Sequence, residues 1–257
     1  MAGPDTPGRR ERLRTATIAE IKQVARRLLV AGGPGAISLR AIAREMGMTA
    51  GALYRYYPSL DGLVDALCGD LFEELTAALH AARDEVSGDE PTADEPTSRV
   101  ARMARAFRRW ALDHPAEFGL MLGPRLPGVT RMWADREQPH ESTFRFGSAF
   151  LDEFAELWRR HPVAVPSPDL LEQRLRPQLG PYVARRGDDL PLGVVVVFLT
   201  AWIRLYGLVA MEVFGHLRWA LTDAEALFEI ELANFARQLT GVPDDTDRPD
   251  GDRSSGG

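Results

Sequence analysis

The sequence holds few of the residues on which metal, redox and nucleophilic chemistry depends. It has one cysteine and five histidines among 257 residues, which excludes an intrachain disulfide. The spacings HExxH, CxxC, GxxxxGKS and GxSxG do not occur, so the common zinc, dithiol, phosphate-loop and serine-hydrolase motifs are missing. We therefore expect no enzyme, no catalytic residue, no metal and no cofactor, and we interpret Cys68 as a small buried apolar residue.

The N-terminus is polar and arginine-rich and lacks the apolar core of a signal peptide. Together with the lone cysteine, this predicts a reducing, cytoplasmic location. One long apolar run, residues 190–214, has the length of a membrane span. Because Arg204 and Glu212 lie inside this run and no second span exists, we predict a buried helix and no membrane association.

Positive charge is concentrated in the first part of the chain. Residues 1–60 hold ten Lys or Arg and four Asp or Glu, whereas the whole chain has a net charge of -6. The first 60 residues are therefore at +6 and the remainder is at -12. Only the first part has the charge that favours contact with nucleic acid.

Residues 38–58 predict two short helices joined by a tight turn. Ser38 and Thr49 are suitable N-cap residues for the two helices. Gly47 ends the first helix, because glycine accepts the left-handed conformation at low steric cost, and Pro58 ends the second. The apolar residues fall on one face of each helix: Leu39, Ile42, Ala43 and Met46 in the first, and Ala50, Leu53 and Tyr57 in the second.

The outward face of the second helix carries no acidic residue. Gly51, Ala52 and Arg55 lie opposite its buried residues, and Tyr54 and Tyr56 flank them. A flat surface with hydroxyl groups and a guanidinium suits the major groove of DNA, where side chains reach phosphates and base edges. This favours a DNA-binding helix-turn-helix over a pair of packed helices with a structural role only.

Four segments between Gly33 and Leu67 carry a family resemblance: Ser38-Leu-Arg-Ala-Ile-Ala, Gly47-Met-Thr, Gly51-Ala-Leu-Tyr-Arg-Tyr-Tyr and Pro58-Ser-Leu. They resemble the DNA-binding domain of TetR-type transcriptional regulators. The resemblance implies that Thr49, Gly51, Tyr54 and Tyr56 contact the groove and the DNA backbone, and that Ser38 or Leu39 contacts a phosphate. With the neighbouring positions of this surface, the predicted DNA-binding residues are Ser38, Arg40, Thr49, Gly51, Ala52, Tyr54, Arg55 and Tyr56.

The resemblance has one departure and one extension. Where the family often has a phosphate-binding lysine just after the recognition helix, this chain has Leu60, so that contact is either lost or replaced by the arginines. The later segment Trp110-Ala-Leu-Asp-His-Pro-Ala-Glu-Phe resembles a C-terminal domain of one branch of the family. The resemblance also implies a homodimer.

The rest of the sequence predicts an all-α chain. We expect a flexible basic arm over 1–14, a three-helix helix-turn-helix head over 15–60, a larger helical ligand-binding and dimerisation domain over 61–240, and a disordered tail over 241–257. A long connector helix, 59–86, joins the head to the second domain. Further helices are predicted over 99–113, 116–122, 139–160, 169–185 and 190–214, and after a capping box formed by Thr222 and Glu225.

Bulky aromatic and sulfur-containing side chains recur on the inward faces of the second domain. Each alone is better explained as core, but the set is irregular enough in shape to leave a cavity. The predicted pocket residues are Met103, Phe107, Trp110, Phe118, Met121, Phe154, Trp158, Phe198, Trp202 and Arg204. Arg204 either pairs with Glu212 or holds an anionic group of the ligand. The predicted dimer interface contains Phe228, Leu232, Phe235 and Leu239.

These features predict a homodimeric, ligand-responsive transcriptional regulator. We expect a repressor that binds palindromic double-stranded operator DNA and is released by a small hydrophobic effector. An alternative is a dimeric small-molecule-binding or sequestration module with weak DNA binding, and a helical hydrolase without a recognisable motif is third. Sequence-specific retention of a palindromic fragment at physiological salt separates the first hypothesis from the other two.

Overall fold

All regular structure in the described part of the chain is helical. The structure, a computed structural model, describes residues 8–85, 95–123, 141–162, 165, 171–187 and 190–240. The ten α-helices of these residues are α1 (Arg9–Gly32), α2 (Leu39–Glu45), α3 (Ala50–Tyr54), α4 (Leu60–Asp84), α5 (Glu95–Asp113), α6 (Pro115–Leu122), α7 (Glu141–Arg160), α8 (Arg176–Arg186), α9 (Leu192–Val213) and α10 (Glu225–Thr240). A 3-10 turn, Pro34–Ala36, precedes α2, and a π turn, Leu171–Leu175, precedes α8. The predicted all-α class is confirmed.

The described residues form two compact units. The first unit combines Met1–His80 with Phe107–Ser148, and the second combines Ala81–Ala106 with Ala149–Gly257, so far as these ranges are described. Helix α6 belongs to the first unit because it packs against α1. The predicted domain boundary lies after residue 60, whereas the first compact unit also contains most of α4 and all of α6.

The core of the first unit is built from the apolar stripes of α1 to α4 and from aromatic side chains. Ile21, Val24, Ala25 and Leu29 of α1 are buried, and Leu28 is half-buried. Rings of Phe72 and Phe146 lie 5.4 Å apart between centroids, and those of Phe107 and Phe118 lie 6.0 Å apart. These distances are typical of packed aromatic pairs, so the ring cluster is a filled core.

The N-terminal arm differs from its prediction. Residues 9–14 are the first turns of α1, and the carbonyl oxygen of Gly8 accepts hydrogen bonds from the amides of Glu11 and Arg12 at 3.0 and 3.1 Å. Arginine, glutamate and leucine in this segment are good helix formers, and the glycines and prolines that predicted a flexible arm precede it. Residues 1–7 lie outside the described part of the chain, as does the predicted tail, 241–257.

Helix α9 is apolar around most of its circumference but is covered on one side only. By length and composition it could cross a bilayer, with a mean hydropathy of 2.1, a test that core helices of soluble proteins also pass. Val194, Val195 and Val209 are buried, whereas Ile203 on the other side is 67% exposed. The prediction of a buried helix therefore holds for one side of α9, and the other side is exposed in the single chain.

The start of α10 also differs from its prediction. The amide of Glu225 donates to Oδ1 of Asp223 at 3.2 Å, and the amide of Ala224 donates to Oε1 of Glu212 at 3.3 Å. The capping box predicted for Thr222 is therefore replaced by Asp223 and by a carboxylate from α9. A residue 12 positions earlier in the chain could not be identified as a cap from local spacing.

Candidate nucleic-acid interface and cavity

The turn between α2 and α3 is held by local hydrogen bonds. Ser38 Oγ accepts from the amide of Ala41 at 3.1 Å, and Thr49 Oγ1 accepts from the amide of Ala52 at 3.2 Å. Gly47 has a φ of 65°, a left-handed conformation that glycine adopts without a Cβ penalty. The amide of Met48 then donates to the carbonyl of Ala43 at 2.8 Å, which closes a Schellman motif. The predicted caps and turn are confirmed.

The outer face of α3 is open and lacks acidic side chains. Gly51, Tyr54 and Arg55 are exposed, Ala52 is half-buried, and Leu53 is fully buried on the opposite side. A Cβ added at Gly51 would meet no atom within 4 Å, so packing inside the chain does not require glycine there. The backbone of α3 can therefore approach another molecule closely at this position.

The first turns of α1 lie beside this surface. The guanidinium carbon of Arg14 is 5.8 Å from the ring centroid of Tyr56, a cation–π distance. Arg40 of α2 and Thr49 are also exposed, and Ser38 is half-buried. All eight residues predicted to contact DNA thus occupy α2, α3 and the residues that border them, and Arg14 of the predicted basic arm lies beside Tyr56.

A second cluster in the first unit joins α1, α4, α5 and α6. Arg26 donates from Nε to Oε1 of Glu117 at 2.9 Å and from a terminal nitrogen to Oε2 of Glu74 at 2.6 Å. Trp110 Nε1 donates to Oε1 of Glu74 at 3.1 Å, and the His114 ring stacks on Trp110 at 4.8 Å. Glu117 is only 4% exposed, so Arg26 supplies the charge that a buried carboxylate needs.

The Arg26 hydrogen bond lowers the pKa of Glu74 below the usual glutamate range, against the opposing effect of burial. The same bond raises the pKa of Arg26. The Trp110, His114 and Pro115 motif therefore has a structural explanation, because the tryptophan and histidine of this motif pack around Glu74. The sequence contains the residues, but nothing in their spacing pairs Arg26 with Glu117, 91 positions later.

The second unit contains a partly open apolar cavity of about 70 Å³. Its lining comes from α5, α7, α9 and α10: Val100, Ala104, Phe150, Phe154, Phe198, Ala201, Trp202, Arg204, Leu205, Leu208, Phe228, Glu231, Leu232 and Phe235. Four of the ten predicted pocket residues, Phe154, Phe198, Trp202 and Arg204, line it. Phe150, Leu205 and Leu208 were not predicted.

The other predicted pocket residues lie elsewhere. Phe107, Trp110, Phe118 and Met121 belong to the first unit and are buried there. Met103 is fully buried, and Trp158 is half-buried, but neither lines this cavity. The prediction grouped them because inward faces on successive helices look alike in sequence, and it could not separate the two cores.

The predicted dimer residues are also placed differently. Phe228 is 2% exposed inside its own chain, and Leu232 and Phe235 line the cavity, so these three side chains face their own unit. The side chain of Leu239 lies outside the described residues. The exposed apolar side chains of α9 and α10 are instead Ile203, Met211, Leu227 and Ile230.

Arg204 forms the polar end of the cavity lining. Its terminal nitrogens donate to Oε2 of Glu231 at 2.7 Å and to Oε1 of Gln238 at 2.9 Å. The predicted pair with Glu212 is wrong, because the guanidinium of Arg204 pairs with Glu231 of α10 instead. Among the described residues, no cluster of three or more His, Cys, Asp or Glu is arranged to hold a metal ion.

Comparison with known proteins identifies both parts of the chain. Residues 21–67 match the family model of bacterial regulatory proteins of the tetR family, and residues 100–235, more than half of the chain, match the tetracyclin repressor-like C-terminal domain. The chain belongs to the TetR family. Members of the TetR family are transcriptional regulators and not enzymes, and this chain is a DNA-binding regulator of that kind.

Full-length relatives support the TetR assignment. The HTH-type transcriptional regulator Rv1816 of Mycobacterium tuberculosis is 32% identical over 232 residues, which cover 87% of this chain and 92% of the relative. The crystal structure of the regulatory protein SCO4313 aligns with a TM-score of 0.65 at 29% identity, over 90% of this chain and 98% of that one. A TetR-family regulator from Shewanella sp. PV-4 has a TM-score of 0.54 at 17% identity, over 86% and 96% of the two chains, a likeness of fold.

Proposed function

We propose that the protein is a cytoplasmic, homodimeric repressor that binds a palindromic operator and is released by a small hydrophobic effector. The observation that carries the proposal is the outer face of α3, where Gly51, Tyr54 and Arg55 are exposed beside the capped turn. Such a face allows close approach of the backbone to the major groove, with hydroxyl and guanidinium groups at its edges. Leu60 leaves the phosphate contacts to the arginines of α1 and α2 and to Arg55, which directly follows α3.

The dimer is supported by exposed apolar side chains on two consecutive helices. Ile203 and Met211 of α9, and Leu227 and Ile230 of α10, are exposed in the single chain. Exposed apolar side chains on two helices of one unit can form a protein contact, and an isologous pairing of two helices from each copy gives a four-helix interface. Two α3 helices would then enter major grooves about one helical turn, roughly 34–36 Å, apart.

The effector is supported by the aromatic cavity of the second unit. A ligand that binds more tightly to the conformation in which the two recognition helices are wrongly spaced releases DNA by population shift. A sequestration module with weak DNA binding remains the competing hypothesis. The acid-free face of α3 favours the repressor, because sequestration does not require such a surface.

The test is retention of specific DNA by the purified full chain. Genomic fragments are captured at physiological salt and sequenced, and the recovered site is used to measure affinity of the wild type and of two variants, Tyr54→Phe and Arg55→Ala. Each variant is expected to lose about 1–3 kcal/mol of binding free energy if it loses a base contact, and less for a phosphate contact. Affinity should fall steeply as salt rises, because phosphates are neutralised.

The matched control is Arg145→Ala, which removes an arginine of α7 that pairs with Glu73. It should leave operator affinity unchanged at the same salt concentration. Unchanged affinity in both α3 variants would remove the recognition-helix assignment, and failure to enrich any sequence would favour the sequestration module.

A further inference from the structure

Aromatic rings dominate the wall of the cavity. The rings of Phe150 and Trp202 lie 5.8 Å apart between centroids, those of Phe154 and Phe198 lie 5.8 Å apart, and those of Phe154 and Phe235 lie 6.2 Å apart. These five rings come from α7, α9 and α10 and line the cavity, two pairs in a tilted and one in a stacked arrangement. Faces and edges of opposite partial charge complement another aromatic ring better than a saturated one.

The charges at the cavity are already paired with each other. Arg204 donates to Glu231 at 2.7 Å and to Gln238 at 2.9 Å, and the second oxygen of Glu231 accepts from Asn234 at 3.3 Å. Of the 14 lining residues, only Arg204 and Glu231 are charged. The lining therefore has no net charge, and an anionic ligand would compete with Glu231 for the guanidinium.

We propose that the effector is a neutral molecule that inserts a single aromatic ring into this cavity, an inference that rests on the proposed function. An engineered cavity of roughly 150 Å³ holds one benzene molecule. The present cavity measures about 70 Å³, less than half of that volume, and is partly open, so a single ring can enter only with part of it in the opening, and a larger rigid group would not fit. A charged ring would lose hydration on entering the cavity, and a lining without net charge would not compensate for this loss.

Four probes of similar size test the class on the wild-type full chain: toluene, methylcyclohexane, benzoate and benzylammonium. Binding is measured by calorimetry and by the fluorescence of Trp202 and the other tryptophans. Toluene should bind most tightly, with benzoate and benzylammonium about tenfold weaker or more and methylcyclohexane weaker by a smaller factor. Operator release is measured with the same four compounds.

Two substitutions should reverse the charge preference. Glu231→Gln leaves the charge of Arg204 without its carboxylate, so benzoate binding should strengthen about tenfold relative to toluene. Arg204→Gln leaves Glu231 negative and should favour benzylammonium in the same way. The matched control is Glu229→Gln on the same helix, which breaks a pair with Arg105 at 2.6 Å and should keep the wild-type order.

The outcomes separate the ligand class from the proposed function. Tighter binding of benzoate or methylcyclohexane than of toluene by the wild type overturns the neutral aromatic class, and so does an unchanged order in a folded Glu231→Gln variant. If other apolar compounds release the operator while toluene neither binds nor releases it, the class is wrong and the effector-controlled repressor stands. If neither the four probes nor the other apolar compounds bind, both the neutral aromatic class and the proposal of a hydrophobic effector are rejected.

Discussion

Gly51 separates the requirements of folding from those of DNA binding. It is exposed in α3, and a Cβ at this position would contact no atom of the chain within 4 Å. Gly51→Ala should therefore leave the free energy of unfolding unchanged or raise it by up to about 0.5–1 kcal/mol, because alanine is the better helix former. Operator affinity should nevertheless fall, since the added methyl group occupies the space through which the backbone approaches DNA.

Urea denaturation and operator titration of the same preparation measure the two effects. The matched control is Gly62→Ala in α4, whose Cβ would lie 3.6 Å from Ser59 Oγ, an ordinary contact. A Gly51→Ala variant with wild-type operator affinity would contradict close approach of the α3 backbone to DNA.

The second prediction at this scale concerns the pH dependence of Glu74. Its pKa is lowered in the folded chain, chiefly by the Arg26 hydrogen bond. The resulting stabilisation is fully present above the pKa of an unfolded glutamate, about 4.3, and is lost as the pH falls through the lowered value. Glu74→Gln should therefore destabilise the protein at pH 7 and progressively less as the pH falls through the acidic range.

Unfolding free energies of the wild type and the variant at several pH values measure this difference. Glu73→Gln is the neighbouring control, because the Glu73 pair with Arg145 is exposed on both sides and exposed pairs contribute little. If Glu74→Gln lowers the free energy of unfolding equally at neutral and acidic pH, the effect comes from packing and not from the charge.

At the scale of the element, α9 and α10 present one face to their own unit and the other outward. Ile230 is 56% exposed, whereas Phe228, two positions earlier on the same helix, is 2% exposed. Ile230→Glu should therefore convert a dimer into a folded monomer of half the mass, because a charge would enter the interface. Phe228→Glu should unfold the chain instead, because that charge would lie in the interior.

Light scattering gives the mass, and circular dichroism reports the helical content of each variant. Leu112→Glu on α5 changes another exposed apolar residue and should leave the mass unaltered. A dimeric Ile230→Glu variant of normal helicity would move the interface away from this face of α10.

For the whole molecule, two copies joined by α9 and α10 would fix the distance between the two α3 helices. Inserting five base pairs between the operator half-sites turns one of them by about half a helical turn. Affinity should fall toward that of a single half-site, because a dimer of fixed spacing contacts only one of the rotated sites. Affinity that is insensitive to the insertion, measured by operator titration, would indicate that each head binds independently.

The sequence by itself determined the features that depend on near neighbours along the chain. Ser38 and Thr49 cap helices through amides three positions later, and Gly47 terminates α2 through its own backbone angle. Such contacts close within one turn, so the residue type and its spacing are sufficient. For the same reason the helix-turn-helix, the exposed face of α3 and the all-α class were predictable.

Only the tertiary structure decided which inward faces share a core. Phe107 and Phe154 have the same pattern in sequence, but the first belongs to the filled core of the first unit and the second lines the cavity. Arg204 donates to Glu231, 27 positions later on α10, and not to Glu212, which lies on the same helix as Arg204. Periodicity shows that a side chain points inward, but the neighbour it meets there depends on how distant helices pack.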